Sequence, residues 1–418
     1  MSPETLTDYE RRRQENIRRN AEMMETLRLQ RTAADLHSLR PRRTHHQKKP
    51  SSSSRQSLRI RGKSPERYPK FTDLDDLALT LTPSPSNPQL LNPLIDVRFD
   101  PRSSMLLKPE NSAVILTKII SCLRFLPFND RTVVVAGNAV GDLGFWVVDS
   151  FNGKGLYSCS LHSNLVTGIS AHHSSPAKIF TSSYDRFVRL MDVEHENSNV
   201  IVCSSGSDPF YSICQWPEDV SSLYIGEGVG KLKVWDEKAG KASSFWEMHG
   251  GRINSIDFSL VNSHLMATSS SDGMACIWDL RFMKRDRPEC LNRVVHERAI
   301  NSAYFSPSGS CLATTSDDDR VGILSGGNFD EQCMIPHKNR GAKFVSSTRG
   351  IWGWSDSYLF LGNLEGAIDV ICIGNKTTMA LESLHMSLTP QHLAAHPYKL
   401  GSLAAATGGG KVFLWSSK

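Results

Sequence analysis

Seven positions that close short apolar runs, Trp146, Met191, Trp235, Trp278, Leu324, Ile371 and Trp415, recur at intervals of 45, 44, 43, 46, 47 and 44 residues. One repeat of that length, made of short β-rich runs, cannot bury both faces of its own sheet, so successive repeats must stack. Each keeps one order: a turn containing His, a strand such as 253-INSIDFS, a strand such as 265-LMATSSS, a tight turn, then 274-MACIWDL. A period near 40–45 residues with a Trp-Asp ending predicts an all-β fold, a seven-bladed WD-repeat β-propeller over 95–418.

The repeat carries its own polar chemistry. In blade four, His249, Ser270, Asp272 and Trp278 stand at a spacing that lets a buried His link an Asp carboxylate to a Ser hydroxyl and an indole N–H. Such a network satisfies groups that strand packing otherwise leaves unpaired. Blade two (His162, Ser183, Asp185) and blade five (His296, Ser316, Asp318) repeat it without the Trp. Recurrence at blade intervals marks these His-Asp pairs as structural rather than catalytic.

Charge divides the chain. Residues 1–70 hold 18 Lys and Arg against 8 Asp and Glu, whereas the remainder holds 30 against 35. A net +10 arm on a net −5 body suggests contact with nucleic acid or an import receptor. Thr7 and Glu10 form a capping-box pair, and the next twenty-five residues lack Gly and Pro, which predicts a charged helix within 1–36. That helix is either solvated or docks a partner through Ile17, Met24 and Leu27. Residues 37–94 read as a basic, Ser/Pro-rich disordered linker. Its clusters 40-RPRR, 48-KK and 59-RIRGK suit nuclear import and phosphate contact or a solvated linker, and Ser64-Pro65 offers a phosphorylation site.

Several classes are excluded. No apolar run approaches the roughly 18 residues of a membrane span, and the N-terminus lacks a secretory apolar core. The nine cysteines include no CxxC pair and read as reduced packing residues, so neither a disulfide framework nor a metal site is expected. No P-loop, dinucleotide fingerprint, nucleophile elbow or His-Glu-x-x-His motif occurs, and 408-GGGK-411 falls at a blade turn. No catalytic or cofactor-binding residue and no small-molecule substrate is expected; the chain reads as a non-enzyme that presents surfaces.

In a propeller, the loops entering each first strand and the turns between second and third strands share one face, the top. Those positions hold Lys118, Arg186, Lys231, Arg252, Arg298, Arg320, Arg340, Lys343, Arg349 and Lys411, with Tyr184, Phe210, Tyr211 and Phe344 at the same rim. Clustered cations suit phosphate binding and aromatics suit base stacking, against a reading as scattered solvated charges. On the opposite face Arg281 follows Trp278-Asp279, past the strand end, as a partner contact or a solvated residue.

The segments 8-DYERRRQENIRRN-20, 58-LRIRG-62, 295-VHERAINSAYFSPSGSCLATTSDDDRVGIL-324 and 349-RGIWGWSDSYLFLGN-363 resemble the WD repeat-containing protein 76 family, related to the small subunit of the UV-damaged DNA-binding complex. The resemblance spans nearly the whole chain. It implies a nuclear, chromatin-associated protein that prefers damaged duplex DNA and acts in the DNA damage response. It implies too that Trp278, Asp279 and Arg281 dock the adaptor subunit of a cullin-4 ubiquitin ligase, making the chain a substrate receptor. A DNA contact is implied at Arg252, and the damage-probing hairpin falls near 339–344, without the relative's Phe-Gln-His tip. The competing expectation is a chromatin scaffold whose basic face binds acidic protein partners.

Overall fold

The computed structural model describes Arg11, Gln14, Glu15, Arg18, Arg19, Phe71, Thr72, Leu77 and residues 99–418, apart from 151–154, 205, 207, 284–287 and 340–347. The chain forms two compact units, Met1–Glu66 and Arg67–Lys418. In the first, the five described residues have helical backbone and exposed side chains. The rest of the helix expected within 1–36, the basic clusters and Ser64 lie outside the described residues.

The second unit is a seven-bladed WD propeller built of seven antiparallel sheets. Blade four shows why these residues form these strands. Its strands are Ile253–Phe258, Leu265–Ser270, Met274–Asp279 and Asn292–Val295, hydrogen-bonded in sequence order. Every residue of Leu265–Ser270 is buried, because a middle strand is covered by a neighbouring blade on each face. Outer strands are half-covered and alternate, as in Lys241–Glu247 of blade three.

Seven hydrophobic clusters hold the disc together, one at each junction between adjacent blades. Tyr224, Val234, Ile256 and Trp278 join blades three and four; Ile115, Val134, Ala404 and Leu414 join blade seven back to blade one. The ring is closed by hydrogen bonds as well. Met105–Val114 lies along Lys411–Ser417, with Leu107 opposite Trp415 and Val114 opposite Lys411. The two ends of the ring thus share blade seven.

One expectation fails before the ring begins. Residues 37–94 read as a single linker, yet Phe71–Thr72 adds a fifth strand to blade one, opposite Cys159 and Ser158. Leu77 is fully buried in the cluster between blades one and two. The polar composition around it hid one leucine that fits a socket already built by Leu126, Tyr157 and Met191.

Candidate nucleic-acid interface

The top face is positioned by the blade networks. In blade four, Trp278 Nε1 donates to Thr268 Oγ1 at 2.7 Å, and Thr268 Oγ1 is 2.7 Å from His249 Nε2. A hydroxyl that accepts from the indole has its own proton left for His249 Nε2. The imidazole therefore carries its proton on Nδ1, which donates to Asp272 at 3.2 Å. Asp272 also accepts from the amides of Gly250 (2.8 Å) and Met274 (2.9 Å). Burial alone pushes its carboxyl up; the hydrogen bond from His249 and those from the two amides outweigh that and hold it at about 2.

The expected Ser hydroxyl is a correction. Thr268, two residues before Ser270, occupies the link, and Ser270 Oγ instead accepts from the Asp272 amide at 3.2 Å. The same shift occurs in blade two, where His162 bridges Asp185 and Thr181 at 2.9 Å each, and in blade five, where His296 bridges Asp318 and Thr314 at 2.9 and 3.0 Å. The reason is pleat geometry: residues 268 and 270 share a face, and 268 lies one level deeper, beside the His ring. Blade six carries a rewired version that the sequence did not suggest, with His337 between Asn339 (2.7 Å) and Asp369 (3.1 Å).

In blades two, four and five the network ties the loop entering the blade to the turn between its second and third strands, so both are held rigidly on one face. Ser271 N donates to Arg252 O at 3.0 Å, which fixes the backbone from which Arg252 projects. Its exposed side chain donates from Nε to Asn254 at 3.0 Å. The guanidinium stands 5.5 Å from the centre of the Tyr211 ring, and Tyr211 meets Tyr184 edge-on at 5.1 Å. Tyr184 belongs to blade two, Tyr211 to three and Arg252 to four, so one row crosses three blades. Burial and Tyr211 push the Tyr184 hydroxyl up, against the pull of Arg252 and Arg349.

The turns themselves repeat one backbone feature. Gly141, Arg186, Gly230, Gly273, Asp319, Gly366 and Gly410, one per blade, all have positive φ. Glycine takes this conformation without strain, and a side chain there costs about 1–2 kcal/mol. Blade two places Arg186 (φ 72°) at this position, exposed and donating to Gly206 O at 3.2 Å.

Other expected cations differ in availability. Lys118 and Arg298 are exposed, and neither side chain has a hydrogen bond or ion pair to another described residue. Lys231 pairs with Glu247 at 3.3 Å and Arg320 with Glu297 at 3.8 Å. Arg349 is half-buried and lines the central channel rather than the rim, and Lys411 is half-buried with its ammonium 4.7 Å from the Phe413 ring centre. Phe210, expected at the rim for stacking, is fully buried. Arg340, Lys343 and Phe344 lie outside the described residues.

On the opposite face, Asp279 caps the 3₁₀ turn Leu280–Phe282. Arg281 donates to both its oxygens, Nε to Oδ1 at 2.9 Å and Nη2 to Oδ2 at 2.6 Å. Trp278 and Asp279 are buried, so of the three residues read as docking residues only Arg281 reaches the surface. Phe282 beside it, and Leu260 and Val261 in the neighbouring loop of the blade, are exposed. The bond from Leu280 N to His264 O (2.9 Å) joins the two loops.

Comparison with known proteins agrees with this geometry. The family model "WD domain, G-beta repeat" matches residues 240–279 and 288–323, the stretch of blades three to five, and this fold is a non-catalytic scaffold. WD repeat-containing protein 76 of Xenopus laevis is 26% identical over 259 residues, covering 60% of this chain and 44% of the relative. DNA damage-binding protein CMR1 of Coccidioides immitis is 23% identical over 351 residues, covering 74% and 66%. DNA damage-binding protein 2 of Gallus gallus is 25% identical over 244 residues, covering 56% and 47%. The chain thus spans about half to two thirds of the length of these curated relatives. It is a WD40 β-propeller related, at moderate identity, to WD repeat-containing protein 76 and DNA damage-binding protein 2.

Proposed function

We propose that this chain is a nuclear DNA-binding propeller of the DNA damage response, with a preference for damaged duplex. The observation that carries the reading is the row Tyr184–Tyr211–Arg252, with Arg186, Arg298 and Lys118 exposed on the same face. Cations there meet phosphates and release counterions, while a tyrosine pair offers a π-face to an exposed base. Such a surface reads little sequence, because it reaches backbone rather than groove edges. A lesion that weakens stacking lowers the energy needed to bend or open the duplex, which favours damaged sites. The names of the relatives support a role in the same pathway.

The arm fits the same reading. Residues 37–70 direct nuclear import through their Lys and Arg clusters and add phosphate contacts. The opposite face, with Arg281 and Phe282, docks the adaptor of a cullin-4 ubiquitin ligase, so that DNA and ligase bind at once and the chain acts as a substrate receptor.

The test replaces Arg252, Arg298 and Arg186 together by Glu, in the full chain and in a chain beginning at Arg67. Duplex affinity should fall, and the slope of log K against log salt should flatten by about 0.9 for each phosphate that is no longer neutralised. If the shortened propeller binds duplex equally well with and without the three arginines, the top-face reading is wrong. If it binds acidic chromatin proteins but no DNA, a scaffold with a basic docking face takes its place. The pairing of Lys231 and Arg320 with glutamates shows that this face already accommodates carboxylates.

A further inference from the structure

The axis of the ring is lined by the innermost strands of all seven blades, around an open core of about 50 Å³. That is several times the roughly 10–15 Å³ a single water requires. Among the described residues lining it, the cations are Arg124 of blade one and Arg349 at the entrance to blade six. Arg124 is exposed, and its exposed surface lines the channel. Neither guanidinium has a hydrogen bond or salt bridge to another described residue. Two like charges in one confined channel repel each other, and withdrawing them from bulk water is costly; at Arg124 the neighbouring Tyr304, Cys214, Asp257 and Cys122 outweigh that cost and keep the guanidinium charged.

The surrounding groups leave the site net positive. The thiol of Cys122, which lines the same cavity as both arginines, is pushed up to about 11 by burial, and the charges of Arg349 and Arg124 act against that. Asp257 is the acid whose charge acts on Arg124. Its carboxylate accepts from Phe305 N at 2.8 Å, and burial pushes its carboxyl up to about 7 against the pull of that amide and of Arg124. His392 is pushed down to about 3 by burial and by Arg349, and is therefore neutral. Two cations thus face one acid that is only partly ionised at neutral pH.

We propose that the central channel is an oxyanion site for a single phosphate group, gripped between Arg124 and Arg349 from two walls. A planar carboxylate is satisfied by one guanidinium fork; a tetrahedral dianion presents oxygens to two forks on opposite sides and matches two charges. The open core accommodates a phosphorus with its four oxygens. The phosphate arrives either as a free small phosphate or as the terminal phosphate of a nucleic-acid strand. The free-phosphate form does not depend on the DNA-binding reading above.

The experiment titrates the full chain with inorganic phosphate at constant ionic strength, followed by calorimetry and phosphorus NMR. Binding should be one to one. Arg124→Gln and Arg349→Gln should each weaken it about ten-fold or more, since a charge-assisted bond is lost. Asp257→Asn should tighten it, and Lys241→Gln on an outer strand should leave it unchanged. Melting temperatures report folding; should Arg124→Gln not fold, Arg349→Gln and Arg349→Lys decide, the lysine keeping charge without the fork. Competition with a short strand bearing a 5′-phosphate or a 5′-hydroxyl separates the sources. Displacement by the phosphorylated strand alone assigns the site to strand ends, and displacement by neither assigns it to small phosphates. Absence of binding at about 10 mM phosphate, or binding unchanged by both arginine substitutions, overturns the proposal.

Discussion

The hydroxyl of Thr268 accepts the indole N–H of Trp278 at 2.7 Å and thereby sets the tautomer of His249. One buried oxygen thus joins the third strand of blade four to the loop that opens the blade. Thr268→Val keeps the shape and strands two polar groups, so unfolding in denaturant should show a loss of about 2–4 kcal/mol. Ser270→Ala, which removes one bond to an amide, should cost about 1 kcal/mol. Equal costs would contradict the assignment of the link to Thr268.

Asp272 gives the network a pH signature. Its carboxyl is depressed from 3.8 to about 2 in the folded chain, so its contribution is present in full above the ordinary carboxylate value. It is lost as pH falls from there through about 2. With screening at a partly solvated site the term is about 1 kcal/mol. Stability measured from pH 5 down to 2 should fall more gently in Asp272→Asn than in the native chain, after allowing for the variant's lower starting point.

How much of this was legible in the residues follows from what repeats. The intervals from Trp146 to Trp415 set the blade count, and the seven turn positions from Gly141 to Gly410 carry the same intervals. Spacing alone did not choose between Thr268 and Ser270, because both lie on the same side of the strand and depth decides. Leu77 and the strand Phe71–Thr72 were hidden because a single buried side chain leaves no periodicity. Arg349 was assigned to the rim by its loop, whereas its side chain faces the axis. Arg124 carried no signal, since charged residues on inner strands look like any exposed position.

Arg186 sits where five of the seven blades place glycine, with φ of 72°. Arg186→Gly should raise stability by about 1 kcal/mol by relieving the left-handed strain. The same change should weaken duplex binding and reduce the salt slope by about 0.9. A variant that is stabilised without losing affinity would remove Arg186 from the interface.

Arg281 is held by a two-pronged bond to a buried carboxylate, so its orientation is set before any partner arrives. Arg281→Ala should lower co-purification of the cullin-4 adaptor about ten-fold or more; it also unpairs the buried Asp279 carboxylate, so the melting temperature should fall while the chain stays folded. Asp279→Ala should lower it as well while leaving Arg281 in place, since the guanidinium is then free to wander. Undiminished adaptor recovery in both variants would place the docking surface elsewhere.

The sharing of blade seven by Met105–Val114 and Lys411–Ser417 gives the ring a temporal order. About three hundred residues must be made between the two partners, so the seal forms last and at long sequence separation, which makes folding slow. Until Lys411–Ser417 arrives, the ring is a horseshoe with two unpaired sheet faces and a free strand edge, the kind of surface that invites aggregation. Closure then converts seven separate junctions into one cooperative unit, and the top face, the opposite face and the axial channel come into being in the same step.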